Sequence, residues 1–277
     1  MYLILYNPIS RNGANIEVVT KLVKKMRKKH ENVESLSLLE IEDPKSFIEA
    51  LNNDTKIILV GGDGTLNRIA NQIIGIEKLP EVFLYKAGTG NDFRRSIKER
   101  GKIVRIDQYL TNLPQSEFEN KKVAFLNGVG LGFDGYVCYL VEGSKNNKTK
   151  LNFFVNVFKA LKSFKPSDFE VEVDGVNKQY KKAWFVTIMN SKYLGGGMKM
   201  APKAKRENQD LHVIIVHGVT KAKIFTLFPL IYLGWHTKIR GVEILRGNKI
   251  KVKAATPAYV QVDGEVYANQ VDVLIKK

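Results

Sequence analysis

The run Lys56-Ile57-Ile58-Leu59-Val60, followed at once by Gly61-Gly62-Asp63-Gly64-Thr65, constrains this chain more than any other stretch. Four consecutive apolar residues without polar alternation describe a strand buried on both faces, and such strands belong to parallel sheets covered by helices on each side. The surrounding pattern agrees. Tyr2 to Tyr6 reads as a strand, and from Ala14 the residues Val18, Val19, Leu22, Val23 and Met26 recur at helical spacing. Leu36 to Leu39 reads as a weaker strand, and Pro44 to Leu51 as a helix with its proline in the first turn. Leu66, Ile69, Ala70, Ile73 and Ile74 form one helical face that stops near Gly75, and Val82 to Tyr85 is the next strand. Strands alternating with helices predict an α/β layer structure for the first half.

From about Lys121 the texture becomes β-rich. Val123–Leu126, Phe169–Val173, Lys182–Met189, Leu211–Val216, Lys249–Lys253, Tyr259–Val262 and Val271–Ile275 read as strands, with Asp174-Gly175 and Asp263-Gly264 as hairpin turns. Leu151–Phe164 and Lys223–Gly234 read as helices. The polar stretch Asn112–Asn120 is the expected boundary, dividing the chain into 1–120 and 121–277.

Composition removes several classes. A chain of 277 residues that is 44% apolar has material for a core, and one cysteine, Cys138, forbids an internal disulfide. Cys138 reads as a buried inert thiol, and the four histidines lack metal-ligand spacing. The longest apolar run, Ile224 to Trp235, contains Pro229 and is too short to span a bilayer, and the first residues lack the pattern of a signal peptide, so a cytosolic location is expected. The net charge of +16 is unevenly spread: residues 1–120 carry net +2 and residues 121–277 net +14. The second half is therefore expected to lie against negative charge.

Gly61-Gly62-Asp63-Gly64-Thr65 lies between a buried strand and a helix, where backbone N–H groups and the positive helix end receive phosphate oxygens. It is neither a Walker loop nor the dinucleotide fingerprint. A carboxylate in an anion loop repels phosphate unless a cation bridges them, so Asp63 is either a Mg²⁺ or metal-water ligand or a helix cap. Gly88-Thr89-Gly90-Asn91-Asp92 follows the next strand, and Asn7 to Gly13 follows the first. Loops at the carboxyl ends of neighbouring parallel strands share one crevice, so the three together describe a nucleotide-phosphate and Mg²⁺ site.

The ordered set Asn7-Pro8-x-Ser10, Gly61-Gly62-Asp63-Gly64-Thr65-Leu66-Asn67, Gly88-Thr89-Gly90-Asn91-Asp92-Phe93, Asn127-x-x-Gly130-x-Gly132-Phe133-Asp134, Gly195-Gly196-Gly197-Met198, Ala201-Pro202-x-Ala204 and Val262-Asp263-Gly264-Glu265 resembles the soluble bacterial diacylglycerol kinase-like lipid kinases, relatives of sphingosine and ceramide kinases and, more distantly, of NAD kinase. The resemblance covers essentially the whole chain. It implies an NAD-kinase-like α/β nucleotide domain followed by a β-sandwich, with the active site in the cleft between them, and transfer of the γ-phosphoryl group of ATP to a lipid hydroxyl. Carried over by motif, Asn7, Pro8, Ile9, Ser10, Arg11, Gly62, Asp63, Gly64, Thr65, Leu66, Asn67, Gly88, Thr89 and Asn91 would bind ATP. Asp63, Asp92 and Asp107 would belong to the Mg²⁺ site, and Glu265 would be the base. Without the other motifs Glu265 reads as a solvated hairpin-tip glutamate.

The chain departs from the family pattern at four places. Arg68 stands where Glu is usual and either binds phosphate or impairs the site; Lys86-Ala87 replaces a Pro-containing approach; Gly90 is within family variation; Asn208-Gln209 replaces the Asp-Gly that holds a structural Mg²⁺ in some members, so that site is left unassigned. Gly128 to Gly135 looks like a phosphate loop but sits in the β-rich half, where close backbone packing is the default. The expected partners are ATP and a lipid, diacylglycerol first, at the anionic inner face of the cell membrane. Both Leu151–Lys165 and Ile224–Trp235, rimmed by lysines, are either interfacial docks or core. Other lipid alcohols, a weakened binding homologue and a homodimer remain open; a nucleic-acid partner leaves the acidic phosphate loops unexplained.

Overall fold

A computed structural model describes residues 1–10, 13–87, 91–144 and 150–277, the side chains of 150–154 excepted. The chain divides into two units, Met1–Leu113 and Pro114–Lys277.

In the first unit the strands are β1 (Tyr2–Tyr6), β2 (Val33–Ser37), β3 (Lys56–Gly61), β4 (Glu81–Lys86) and β5 (Ile103–Arg105), in the sheet order β2-β1-β3-β4-β5. All neighbours are parallel except β5, which runs antiparallel to β4. Ile57, Ile58, Leu59 and Val60 of the central β3 are at most 1% exposed, as a strand covered on both faces requires. The helices are α1 (Asn15–Met26), α2 (Pro44–Glu49), α3 (Asp63–Gln72) and α4 (Asp92–Ser96). α1 buries Val19, Leu22 and Met26, and α2 starts at a capped Asp43-Pro44 step in which the Asp43 carboxylate accepts the Lys45 N–H at 3.0 Å. β2 begins earlier than the Leu36–Leu39 run predicts, because its register pairs Tyr2 with Val33 and Tyr6 with Ser37 and turns both Val33 and Ser37 inward. Ile74 lies past the end of α3 and is exposed, so the apolar face ends at Ile73.

The second unit contains β6 (Gln115–Phe118), β7 (Lys121–Ala124), β8 (Gly128–Gly132), α5 (Phe133–Gly143), α6 (Lys150–Ser163), β9 (Ser167–Val173), β10 (Val176–Met189), β11 (Leu211–His217), α7 (Lys221–Leu233), β12 (Val242–Gly247), β13 (Lys249–Val262) and β14 (Glu265–Lys276). The strand order is β12-β11-β10-β8-β13-β14-β6-β7, with β9 pairing both β10 and β13. β10 and β13 each pair β9 along one half and β8 along the other, which folds the sheet over a common core. Val213 and Ile215 of β11 enter that core, while Ile214 and Val216 face a second apolar layer beneath α5, α6 and α7.

Two expected strands, Lys249–Lys253 and Tyr259–Val262, are one strand here. Its ladder to β14 shifts register between Lys253 and Ala258, which accommodates Pro257. Gly128–Gly132 is also a strand, and the helix after it was hidden by its glycines and short polar residues. An added Cβ at Gly130 would strike the Asp134 carboxylate and come within 2.9 Å of Gln261 Nε2; at Gly132 it would meet the Trp184 carbonyl at 2.7 Å. The close-packing reading of this segment therefore holds.

Candidate functional site

β1, β3 and β4 are adjacent and parallel, so the loops that follow them leave the same edge of the first sheet. After β1, Asn7 Oδ1 accepts the Ile9 N–H at 3.0 Å and the Asn7 carbonyl accepts from Ser10 N–H and from the buried Asn15 amide at 3.1 Å. These bonds shape a turn that leaves Ile9 exposed and Pro8 half-buried. The hydroxyls of Ser10 and Thr65 are 3.4 Å apart, which joins this loop to the next. Thr65 rests on Gly61, where an added Cβ would lie 2.7 Å from Thr65 Cβ.

Gly62 precedes α3 in extended conformation, and among the described residues Gly64 in the first turn has no atom within 4 Å of where its Cβ would stand. The first N–H groups of a helix have no intrahelical partner, so Gly64 offers an open, positively polarised terminus. Asp63 points across to the third loop: its carboxylate accepts Asp92 N–H at 2.6 Å and Phe93 N–H at 3.3 Å. One residue of α3 thus caps α4 from outside. Asn91 and Asp92 are buried, and Asp92 pairs with Arg95 at 3.2 Å. Leu66 and Asn67 belong to the same helix but face inward, Leu66 at 1% exposure and Asn67 with its Oδ1 accepting from Asn71. Arg68 is exposed on the second turn. Arg11, Gly88, Thr89 and Gly90 lie outside the described residues.

Asp107 is not brought to Asp63 and Asp92. Because β5 returns antiparallel, Asp107 ends beside Val82 at the start of β4, where its carboxylate takes Arg105 at 2.8 Å and the Val82 N–H at 3.4 Å. Arg105 also pairs with Glu81, which pairs with Lys56 at 2.8 Å. This ion-pair cluster occupies the opposite edge of the sheet, the length of β3 away, about 16 Å at strand rise. The side-chain bond to Lys56, helped by Arg105, holds the Glu81 carboxyl below its ordinary range.

In the second unit Glu265 is exposed and opens β14 directly after a tight turn, in which Asp263 and Gly264 both have left-handed φ, 48° and 95°. Asp263, which the motif alone did not assign a role, anchors that turn. Its carboxylate accepts three consecutive backbone N–H groups, Leu126 at 2.5 Å, Asn127 at 2.8 Å and Gly128 at 3.0 Å. Gln261, 1% exposed, accepts the Gly264 N–H at 2.8 Å and donates its amide to Asp134 Oδ2 at 3.1 Å, where Thr187 also donates at 3.2 Å. Burial pushes the Asp134 carboxyl up against those two donors. The turn that carries Glu265 is thereby fixed from two sides.

Asp134 lines an apolar cavity of about 40 Å³ beneath α5, α6 and α7, whose walls include Phe133, Val157, Phe185, Met198 and Leu227. His236 is its other ionisable group; its Nε2 meets the Met200 carbonyl at 3.0 Å, and burial pushes the imidazole pKa down, so the ring is a neutral donor there. Burial likewise pushes the Cys138 thiol up, away from nucleophilic use. Around Asn208 the Arg206 carbonyl accepts the Lys277 ammonium at 3.2 Å, and the same ammonium donates to Asn190 Oδ1 at 2.8 Å. Among the described residues no group of three or more His, Cys, Asp or Glu is placed to hold a metal ion.

Residues 1–123 match the diacylglycerol kinase catalytic domain, and residues 127–274 match the YegS C-terminal NAD kinase beta sandwich-like domain. The chain is 27% identical over 229 residues to the "Putative lipid kinase YtlR" of Bacillus subtilis (strain 168), covering 76% of this chain and 74% of that one. It is 27% identical over 274 residues to a diacylglycerol kinase of Staphylococcus aureus (strain MRSA252), covering 95% and 85%. A crystal structure of a "putative diacylglycerol kinase" from Bacillus anthracis str. Sterne superposes with a TM-score of 0.70 at 20% identity, over 99% of this chain and 93% of that one. The two domains in this order, with relatives matched along most of their length, place the chain in the bacterial diacylglycerol kinase-like family of lipid kinases, phosphotransferases with an alcohol group as acceptor.

Proposed function

We propose that the protein transfers the γ-phosphoryl group of ATP to the free hydroxyl of diacylglycerol, giving phosphatidic acid. The observation that carries this reading is the edge formed by β1, β3 and β4, where the Ser10–Thr65 contact and the Asp63 bonds to Asp92 and Phe93 gather three polar loops around the open N-terminus of α3. Backbone N–H groups at Gly64 and Thr65 are donors suited to phosphate oxygens. Asn7, Pro8, Ile9, Ser10, Gly62 and Asn91 border the same edge; Arg11, Gly88 and Thr89 join them by motif alone. Leu66 and Asn67, facing inward, support the helix and do not need to touch the nucleotide.

The residues present suit Mg²⁺ held partly by nucleotide. Mg²⁺ in kinase sites takes one or two carboxylates and fills its remaining positions with phosphate oxygens and water, and Asp63 with Asp92 supplies that number. Asp107, on the far edge, is left out. An ion held there would supply positive charge to offset that of the phosphates. Asp63 has a second task, since its carboxylate orients the third loop through two backbone donors.

Glu265 is assigned as the base. It is a solvent-facing carboxylate on a turn held rigid by Asp263 and Gln261, with Tyr267 as its own neighbour at 3.4 Å. The lipid hydroxyl gives its proton to Glu265 as its oxygen bonds to the γ-phosphorus. The bond to the β–γ bridging oxygen breaks and ADP departs. Such a substrate puts the protein to work at the anionic cytoplasmic face of a membrane.

The test is transfer of radiolabelled γ-phosphate from ATP with Mg²⁺ to mixed micelles holding diacylglycerol, a sphingoid base, phosphatidylglycerol or undecaprenol, with NAD as a water-soluble acceptor. Label in phosphatidic acid is the expected result. Label in another lipid alone would reassign the acceptor, and label in NAD or in nothing would overturn the reading.

A further inference from the structure

α6 and α7 lie side by side over the outer apolar layer of the second unit. The rings of Phe158 and Phe225 are 5.4 Å apart, and the Lys221 ammonium donates to the Lys162 carbonyl at 2.9 Å, so the two helices run antiparallel. α7 is apolar on nearly every side, and in the structure its apolar residues divide into two stripes. Ile224, Leu227 and Ile231 are buried in the layer below, whereas Phe225, Pro229 and Leu233, spaced four apart, form a second stripe facing solvent. Phe158, Phe225 and Leu233 are each 51% exposed, and Trp235, just past the helix end, is 59% exposed.

The charges that these two segments carry have one sign. Residues 155–165 and 218–241 together hold seven Lys or Arg and no Asp or Glu. A second copy of the chain would bring like charges together, with no carboxylate in these segments to relieve them. Half-exposed aromatic rings rimmed by ammonium groups match instead the boundary of an anionic bilayer, where rings sit among headgroups and bases meet phosphate. Among the described residues no helix is long and apolar enough to cross a membrane.

We infer that the solvent face of the α6–α7 pair, built on Phe158, Phe225, Leu233 and Trp235, is a docking surface for an anionic lipid bilayer. The inference deepens the lipid-kinase reading by naming the surface that meets the substrate's phase. Its test uses neither ATP nor diacylglycerol, so its failure and the failure of the kinase reading are separate events.

The full chain is floated with vesicles of phosphatidylcholine alone and of phosphatidylcholine mixed with phosphatidylglycerol. Trp235 reports insertion by a blue shift and by quenching with brominated lipid, against a constant background from Trp184, which is 1% exposed. The wild type is expected on the anionic vesicles only, with Trp235 quenched. The pair Phe158→Ser and Phe225→Ser is expected to lower partitioning roughly tenfold or more. Lys159→Gln, Lys162→Gln and Lys221→Gln together are expected to lower it about fivefold per base at low salt, and this second variant stands if the first fails to fold. Partitioning unchanged in both, or Trp235 unquenched on vesicles that bind the chain, overturns the proposal. So does a serine variant that turns a dimer into monomers without altering vesicle binding, since the face would then join two copies.

Discussion

Gly61–Thr65 and Gly128–Gly135 both carry a strand into a helix through several glycines; Gly61 is packed as closely as those of the second segment, and the two part at Gly64. At Gly64 no atom of the described residues stands beside the backbone, which leaves room there for a ligand to approach. At Gly130, Gly132 and Gly135 the same space is filled by Asp134, by the Trp184 carbonyl and by Tyr259. The first segment ends a parallel strand at the sheet edge, while the second is a central strand between β10 and β13. Glycine content reports only that something approaches closely; the fold decides whether it is a phosphate or a neighbouring strand.

The contrast is broken most directly by alanine. Gly130→Ala is expected to cost about 3 kcal/mol or to prevent folding, because the new methyl meets a buried carboxylate and the Gln261 amide. Denaturant unfolding measures it. Next in size, Asp263→Ala leaves three backbone N–H groups without their acceptor and is expected to cost about 2–3 kcal/mol and to lower phosphoryl transfer through a loosened Glu265 turn. A kcat that falls while KM for ATP holds would show that the loss is of positioning.

A smaller effect sharpens the comparison through pH. Burial lowers the His236 pKa below its unfolded value near 6.5, so the unfolded chain binds the proton first. Its contribution is complete above that value and is lost as pH falls through it toward the folded pKa. The stability drop between pH 7.5 and 5.5 is expected to shrink by up to about 1 kcal/mol in His236→Asn. Smallest in stability is Gly64→Ala, expected within about 0.5 kcal/mol of wild type because alanine suits an open helix turn. Its ATP affinity is expected to fall about tenfold, since the methyl stands where a phosphate would approach. Unchanged ATP affinity there would remove the distinction between the two glycine segments.

Much of the first unit was legible because its signals are local. Ile57 to Val60 announce a two-sided strand, and a turn of Gly and Asp announces the helix start. What was not legible depends on pairing. β2 is displaced by its register with β1, and Asp107 is carried to the far edge because β5 is antiparallel, a direction no three-residue strand declares. Leu66 and Asn67 sit within the phosphate motif yet face inward, since a helix turns its residues through a full circle and motif spelling does not say which face meets the sheet. In the second unit β8 and α5 were masked by glycine, and α7 gave no polar face to orient it; its two apolar stripes part only when the layer beneath is present. Asp263 and Gln261 were missed as supports of Glu265 because their partners lie more than a hundred residues away in sequence.

The measurement closest to the central claim sets ATP binding against transfer in Glu265→Gln. Calorimetric titration with ATP and Mg²⁺ and the initial rate of label transfer to diacylglycerol micelles are taken on wild type and variant alike. If the open terminus of α3 holds the nucleotide and Glu265 takes the lipid proton, the variant binds ATP within about twofold of wild type and transfers label at least about a hundredfold more slowly. A variant that transfers label at the wild-type rate would contradict the account.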